Sequence, residues 1–106
     1  MRKTLLMSAA ALALSVGAAQ AVDGNIKIGV LNDQSGLYAD ISGQGSVWAV
    51  RKAVEDFGAA AKGMKVEVVF ADHQNKPDVG SNIARQWFDR DGVDMIIDVP
   101  TSSVAL

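Results

Sequence analysis

The stretch IKIGVL, residues 26–31, decides the fold, because it is an apolar run of the length and composition of a strand buried inside a sheet. A helical pattern follows from about Ser42 to Phe57, in which apolar side chains recur three and four residues apart (Val47, Val50, Val54 and Phe57). Residues 64–71 then predict a second strand, rich in valine and ending in phenylalanine and alanine. Two strands joined by a helix of this length pair in parallel through a right-handed crossover.

The same alternation continues to residue 106. Pro77 suits the first turn of a second helix, in which apolar residues recur every four positions and which ends by Gly92. Residues 93–99 predict a third strand that Pro100 terminates, and Thr101–Leu106 look like the opening turn of a further helix. The sequence therefore predicts the fold class α/β, as the βαβαβ front part of a doubly wound parallel sheet.

The N-terminal residues 1–21 predict a signal peptide. Arg2 and Lys3 precede an apolar segment of about a dozen residues, and Ala19-Gln20-Ala21 places small residues where a signal peptidase reads. The apolar segment is shorter than the roughly 20 residues that a membrane-spanning helix needs. We expect cleavage between Ala21 and Val22 and export of the mature chain.

Composition narrows the function of the predicted mature chain. Loss of Arg2 and Lys3 from the 10 basic residues leaves 8 against 12 acidic ones, which offers no electrostatic footprint for nucleic acid. The chain has no cysteine, so neither a disulfide framework nor lipid attachment at a cysteine is expected. Residues 22–106 number 85, fewer than a typical domain, and they end in the opening turn of a helix, so we expect them to be the truncated N-terminal part of a longer protein.

Candidate binding residues lie in the loops that follow the strands, since ligands of such sheets bind beyond the carboxyl ends of the strands. These loops are Asn32–Ile41, Asp72–Lys76 and Pro100–Ser103. Hydroxyl side chains and free N–H groups at Thr101–Ser103 suit a carboxylate. The alternative, that these residues only cap a helix, stays open at this point.

These residues, in their order and spacing, resemble the type I periplasmic solute-binding proteins, and most closely the leucine/isoleucine/valine-binding branch of ABC importers. The resemblance begins with the signal peptide and the first strand, and it extends over essentially the whole mature segment. The features that carry it are Ser35-Gly36 with Tyr38, the helix with Gly43, Val66–Asp72, Pro77, the helix with Ala84, Gly92–Ile97 and Ser102-Ser103.

The resemblance implies a two-lobed receptor that closes around a small solute and delivers it to a permease in the inner membrane. It implies that Leu37 and Tyr38 line the cleft and that Thr101, Ser102 and Ser103 hold a ligand carboxylate. The family's acidic partner for a ligand amino group would lie beyond this chain. Residues 98–101 depart from the glycine-rich turn common before the serines, so an amino acid, an amide or an aromatic carboxylate stays open as the solute.

Catalysis and metal binding find little support in the sequence. Ser35 lacks the G-x-S-x-G elbow of a hydrolase nucleophile, and His73 is the only histidine. Asp72, His73 and Asn75 form too sparse a set of ligands for a hard cation or for zinc. We therefore expect no catalytic residue, no metal and no cofactor, and we expect Trp48 and Trp87 to be packing residues. An exported ligand sensor that docks on a receptor and, less favoured, a periplasmic α/β enzyme are the alternatives.

Overall fold

A computed structural model describes residues 24–106, so the predicted signal peptide and its cleavage between Ala21 and Val22 lie outside the described residues. The described part alternates strands and helices as the sequence predicts, and a short 3₁₀ helix precedes the second strand. The elements are β1 (Asn25–Asn32), α1 (Gly43–Phe57), the 3₁₀ helix (Ala60–Lys62), β2 (Lys65–Asp72), α2 (Pro77–Asp89), β3 (Met95–Ile97) and α3 (Ser102–Ala105).

The three strands form one parallel sheet in the order β2-β1-β3. All eight residues of β1 pair with β2, from Asn25 opposite Lys65 to Asn32 opposite Asp72. On its other side, β1 pairs with β3 only through Ile28–Val30. The first strand is therefore central, and the predicted βαβαβ parallel architecture is confirmed.

Helix α2 packs on one face of the sheet, where the Trp87 ring lies against Gly29. A Cβ at Gly29 would lie 2.5 Å from Cζ3 of Trp87, so the indole occupies the space that a side chain at position 29 would need. Trp87 forms a buried cluster with Leu31 and Val93, and six partly buried apolar residues surround it: Val69, Ala71, Ile83, Ala84, Ile96 and Val99. The prediction that Trp87 is a packing residue is confirmed.

Helix α1 covers part of the opposite face, to which Val30 points. Val47 is fully buried and Val50 and Val54 are half-buried, as their helical spacing predicts. The last member of the predicted stripe, Phe57, is 56% exposed. Trp48 is 67% exposed, so the prediction that it packs in the core is wrong for the part of the chain described here. One residue past Val47 is a turn of about 100° around the helix, which carries the Trp48 side chain off the buried stripe.

The third strand is shorter than the predicted range 93–99. At its start, the Asp94 N–H donates to the carbonyl of Lys27 (2.9 Å) while an Asp94 carboxylate oxygen accepts from the Lys27 N–H (2.7 Å). This side-chain hydrogen bond replaces a ladder bond. At its end, Asp98 has a φ of +60°, which interrupts extended backbone. Apolar residues continue beyond both positions, at Val93 and Val99, but regular strand pairing does not.

The described helices contain no segment of the length and hydropathy that a bilayer crossing requires.

We predict opposite effects for alanine at two glycines. Gly29→Ala should lower the free energy of unfolding by roughly 1–3 kcal/mol, because its methyl group overlaps the Trp87 ring. Gly45→Ala should raise it by roughly 0.5–1 kcal/mol, because Gly45 lies in α1 with open space at its Cβ position. Urea denaturation of the protein, expressed at the full length of its natural reading frame, measures both. Equal effects of the two substitutions would contradict the packing described for Trp87.

Candidate functional site

A cavity of about 400 Å³ opens at the carboxyl edge of the sheet. It combines all three loops that the sequence places at this edge, with aromatic and aliphatic groups on one side and hydroxyl groups on another. The residues that line it are Tyr38, Ile41, Ser42, Asn75, Pro100, Thr101, Ser102 and Ser103. The topology alone brings these loops together, because parallel strands end at one edge.

Four of the five residues predicted to bind ligand line this cavity: Tyr38, Thr101, Ser102 and Ser103. Leu37 does not line it, and its side chain is 79% exposed. Contact of any of these five residues with a ligand stays a prediction. The other lining residues, Ile41, Ser42, Asn75 and Pro100, were not predicted to bind ligand, although the predicted loops contain them or end beside them.

Asp33 shapes the loop after β1 with its carboxylate. The side chain is fully buried, and it accepts hydrogen bonds from the N–H groups of Gly36 (2.8 Å) and Tyr38 (3.0 Å), with a longer one from Ser35 (3.4 Å). These bonds, that from Tyr38 above all, lower the pKa of Asp33 below its ordinary value of 3.8, although burial and the charge of Asp72 oppose the shift. Asp33 is therefore ionised at neutral pH, and the loop folds around it.

Gly36 is confined by that carboxylate. A Cβ at position 36 would lie 2.7 and 2.9 Å from the two carboxylate oxygens of Asp33. The backbone of Gly36 does not need a positive φ, so the restriction at this position is one of space. The Ser35-Gly36 pair noted in the sequence thus marks a loop that closes tightly on an aspartate.

Asp72, the last residue of β2, joins the first loop to the second. One carboxylate oxygen accepts from the N–H groups of Gln34 (2.9 Å) and Gln74 (2.8 Å), and the other accepts from the Ser35 hydroxyl (2.6 Å). Partial burial alone would raise the pKa of Asp72, but these three donors together lower it below 3.8. A charged Asp72 therefore holds residues 34–35 and 74 in one arrangement.

His73 fixes the second loop from beneath. Its side chain is fully buried, and its Nδ1 accepts from the Asn75 N–H (2.9 Å). Gln74 and Asn75 have φ values of +55° and +56°, a conformation that needs such support in non-glycine residues. This geometry sets Asn75 at the cavity. Asp72 and His73 thus serve the loop, and among residues 24–106 no group of three or more potential metal-ligating side chains comes together.

Asn32 ties the end of β1 to both neighbouring segments. Its side-chain amide donates to the carbonyl of Gly43 (3.1 Å), at the start of α1, and to a carboxylate oxygen of Asp98 (2.9 Å), just after β3. Its carbonyl oxygen accepts from the side-chain amide of Gln34. The buried Asn32 amide thereby sets the position of the third loop relative to the first.

The hydroxyl-bearing turn leads into α3. The Thr101 carbonyl accepts from the N–H groups of Val104 (2.9 Å) and Ala105 (3.0 Å), but the Thr101 side chain makes no capping hydrogen bond. Its Oγ1 is buried and has no hydrogen-bond partner among the described residues. Ser102 and Ser103 are exposed at the cavity. Their N–H groups lie in the first helical turn, where intrahelical acceptors are missing.

We predict that Asp33→Asn lowers stability at neutral pH but has little effect in acid. A carboxyl group whose pKa is lowered by folding contributes stability above its unfolded value of 3.8, and this contribution is lost as the pH falls through the lower folded value. The gap in free energy of unfolding between wild type and variant should therefore be constant above about pH 5 and close below pH 3.8. Urea titrations across this range measure it. A gap that stays unchanged into acid would contradict an ionised, hydrogen-bonded Asp33.

Comparison with known proteins places this arrangement in a family. The sequence profile of a periplasmic binding protein family matches residues 25–106. No curated protein sequence matches the chain.

Solved structures agree with this match. A periplasmic binding protein from Burkholderia mallei is 49% identical, with a TM-score of 0.72 over 77% of this chain and 22% of its own. A branched chain amino acid ABC transporter periplasmic ligand-binding protein from Burkholderia xenovorans LB400 is 57% identical, with a TM-score of 0.66 over 70% of this chain and 20% of its own. An ABC transporter substrate-binding protein from Sphaerobacter thermophilus is 28% identical, with a TM-score of 0.65 over 76% of this chain and 22% of its own.

The chain thus spans about a fifth of the length of these structures. All three are described as binding proteins, two of them of ABC transporters. On the match over residues 25–106, the chain belongs to the periplasmic binding protein family.

Proposed function

We propose that this chain forms one wall of the ligand cleft of a solute-binding protein, which captures a small carboxylate-bearing solute in the periplasm for an ABC permease. The observation that carries the proposal is the cavity at the carboxyl edge, where the Tyr38 loop faces the hydroxyl-rich turn Thr101–Ser103. Family membership supports binding rather than chemistry as the task of that cavity. Residues 1–21, with cleavage between Ala21 and Val22, would direct the export that this role requires.

The lining of the cavity favours a solute with two unlike ends. Tyr38 and Ile41 offer an aromatic ring and an aliphatic side chain, both at least partly exposed. Ser102 and Ser103 offer hydroxyl groups and first-turn N–H groups, which suit a carboxylate. An amino acid with an apolar side chain or an aromatic carboxylate has both ends. The first of these classes is supported by the 57% identical ligand-binding protein, which is described as part of a branched chain amino acid ABC transporter.

We predict that Ser103→Ala weakens binding of an acid but not of its amide. The substitution removes one hydrogen bond to a charged group, which corresponds to about 1.5–3 kcal/mol, or roughly ten- to a hundredfold in affinity. The measurement is titration calorimetry of the protein at its full natural length. The probes are two matched pairs, L-leucine with leucinamide and benzoate with benzamide.

Two further variants serve as a control and as a test of the Tyr38 side of the cavity. Ser81→Ala, in α2, should leave the affinity for both members of each pair unchanged. Tyr38→Ala should alter the preference between leucine and benzoate more than it alters the preference for acid over amide. Equal binding of acid and amide by the wild type, or an unchanged acid affinity in Ser103→Ala, would show that the Thr101–Ser103 turn does not clamp a carboxylate.

A further inference from the structure

We propose that Asp33 and Asp72 are positioning residues of the cleft: without touching the solute, their carboxylates hold the ligand-facing loop in its binding conformation before the solute arrives. The expected effect on ligand affinity rests on the proposed function, because it requires that a solute binds at the cavity. The positioning itself is a property of the unliganded protein.

The first step is the dependence of the loop on Asp33. The N–H groups of Gly36 and Tyr38 donate to the Asp33 carboxylate rather than to a neighbouring strand. The side chains of Ser35 and Leu37 are exposed, so apolar burial does little to hold this segment. A loop with few buried contacts keeps one conformation only where hydrogen bonds impose it.

The second step leads from Asp33 to the cavity. Its carboxylate fixes the Tyr38 N–H, and the Tyr38 carbonyl in turn accepts from the N–H groups of Ile41 (3.1 Å) and Ser42 (3.1 Å) and from the Ser42 hydroxyl (3.3 Å). Tyr38, Ile41 and Ser42 all line the cavity. One buried carboxylate therefore orders a complete side of the candidate site.

The third step adds Asp72. Its hydrogen bonds to Gln34 and Ser35 hold the start of the same loop, and its hydrogen bond to Gln74 holds the loop that presents Asn75 to the cavity. The ion pairs found among residues 24–106 involve neither aspartate, and both carboxylates accept hydrogen bonds from N–H or hydroxyl donors. These donors belong to the two loops, which links the charge of each aspartate to loop conformation.

Preorganisation of this kind increases affinity because the ordering cost of the loop is met on folding and not on binding. Loss of positioning should weaken every ligand that contacts this wall, whether it carries a carboxylate or an amide. A clamp residue such as Ser103 should instead discriminate between the two. The ratio of acid to amide affinity therefore separates positioning from direct contact.

The test is a double-substitution cycle of Asp33→Ala and Gly36→Ala in the protein at its full natural length. Asp33→Ala removes the acceptor, and Gly36→Ala forces a methyl group to within 2.7 Å of it. Each should lower the affinity for L-leucine and leucinamide, or for benzoate and benzamide, by about tenfold, equally within a pair. The double variant should be no weaker than Asp33→Ala, because the methyl group then has no carboxylate to displace.

Asp94→Ala is the matched control. Asp94 also accepts a backbone N–H with its carboxylate, but at the start of β3, the opposite end of the sheet from the cavity. It should change affinity by less than about twofold. Losses from Asp33→Ala and Gly36→Ala that multiply in the double variant, or a loss in Asp94→Ala equal to that in Asp33→Ala, would overturn the proposal.

Amide hydrogen exchange on the unliganded protein provides a second readout that needs no ligand. Asp33→Ala and Gly36→Ala should accelerate exchange at Gly36 and Tyr38 by about tenfold or more, and Asp94→Ala should not. Unchanged exchange in these loop variants would overturn the proposal. If the wild type binds none of the four probes, the proposed function fails for these solutes, while the exchange result still decides the positioning role.

Ser35→Ala keeps the test decisive if Asp33→Ala does not fold. It removes only the hydrogen bond from an exposed hydroxyl to Asp72. Faster exchange in residues 34–38, with an equal loss of affinity for acid and amide, is the expected result. Unchanged exchange and affinity would overturn the role of Asp72.

Discussion

Two fully buried polar side chains at the end of the central strand, Asn32 and Asp33, constrain the whole carboxyl edge of the sheet. An amide or a carboxylate without partners in such a position costs several kcal/mol, so the surrounding chain must supply donors and acceptors. Asn32 obtains them from Gly43, Asp98 and Gln34, and Asp33 obtains them from the loop that follows it. The loops of the candidate site are thus shaped by the need to satisfy the strand end beneath them.

The fold could be predicted from the sequence because hydropathy alone encodes the alternation of strands and helices. The apolar run 26–31 indicates a buried central strand, and the structure pairs it on both sides. The limits of β3 could not be predicted in the same way. Val93 and Val99 are apolar and contribute to the core, yet they lie outside the strand, because Asp94 and Asp98 end its regular pairing. Hydropathy predicts which residues are buried, and the buried residues extend beyond both ends of the regular strand.

The site could be predicted at the level of loops but not of every residue. Topology places all three loops at one edge whatever their sequence, and Tyr38 and Ser103 followed from the family resemblance. Which neighbour of Tyr38 faces the cavity depends on hydrogen bonds across the loop, from Ile41 to Tyr38 and from Tyr38 to Asp33. Ile41 lines the cavity and Leu37 does not, although both side chains are largely exposed. These bonds join residues three and five positions apart through side-chain and carbonyl oxygens, and no pattern of residue types reveals them.

The placement of the two aspartates also bears on how a solute would lie in the cleft. Asp33 and Asp72 do not line the cavity, and their carboxylates accept hydrogen bonds from N–H and hydroxyl donors of the Tyr38 loop. A solute carboxylate placed against this loop would lie near two like charges. The opposite turn offers the Ser102 and Ser103 hydroxyl groups and first-turn N–H groups instead. If the proposed carboxylate-bearing solute binds here, this difference favours one orientation, with the anionic end at Thr101–Ser103 and the apolar body against Tyr38.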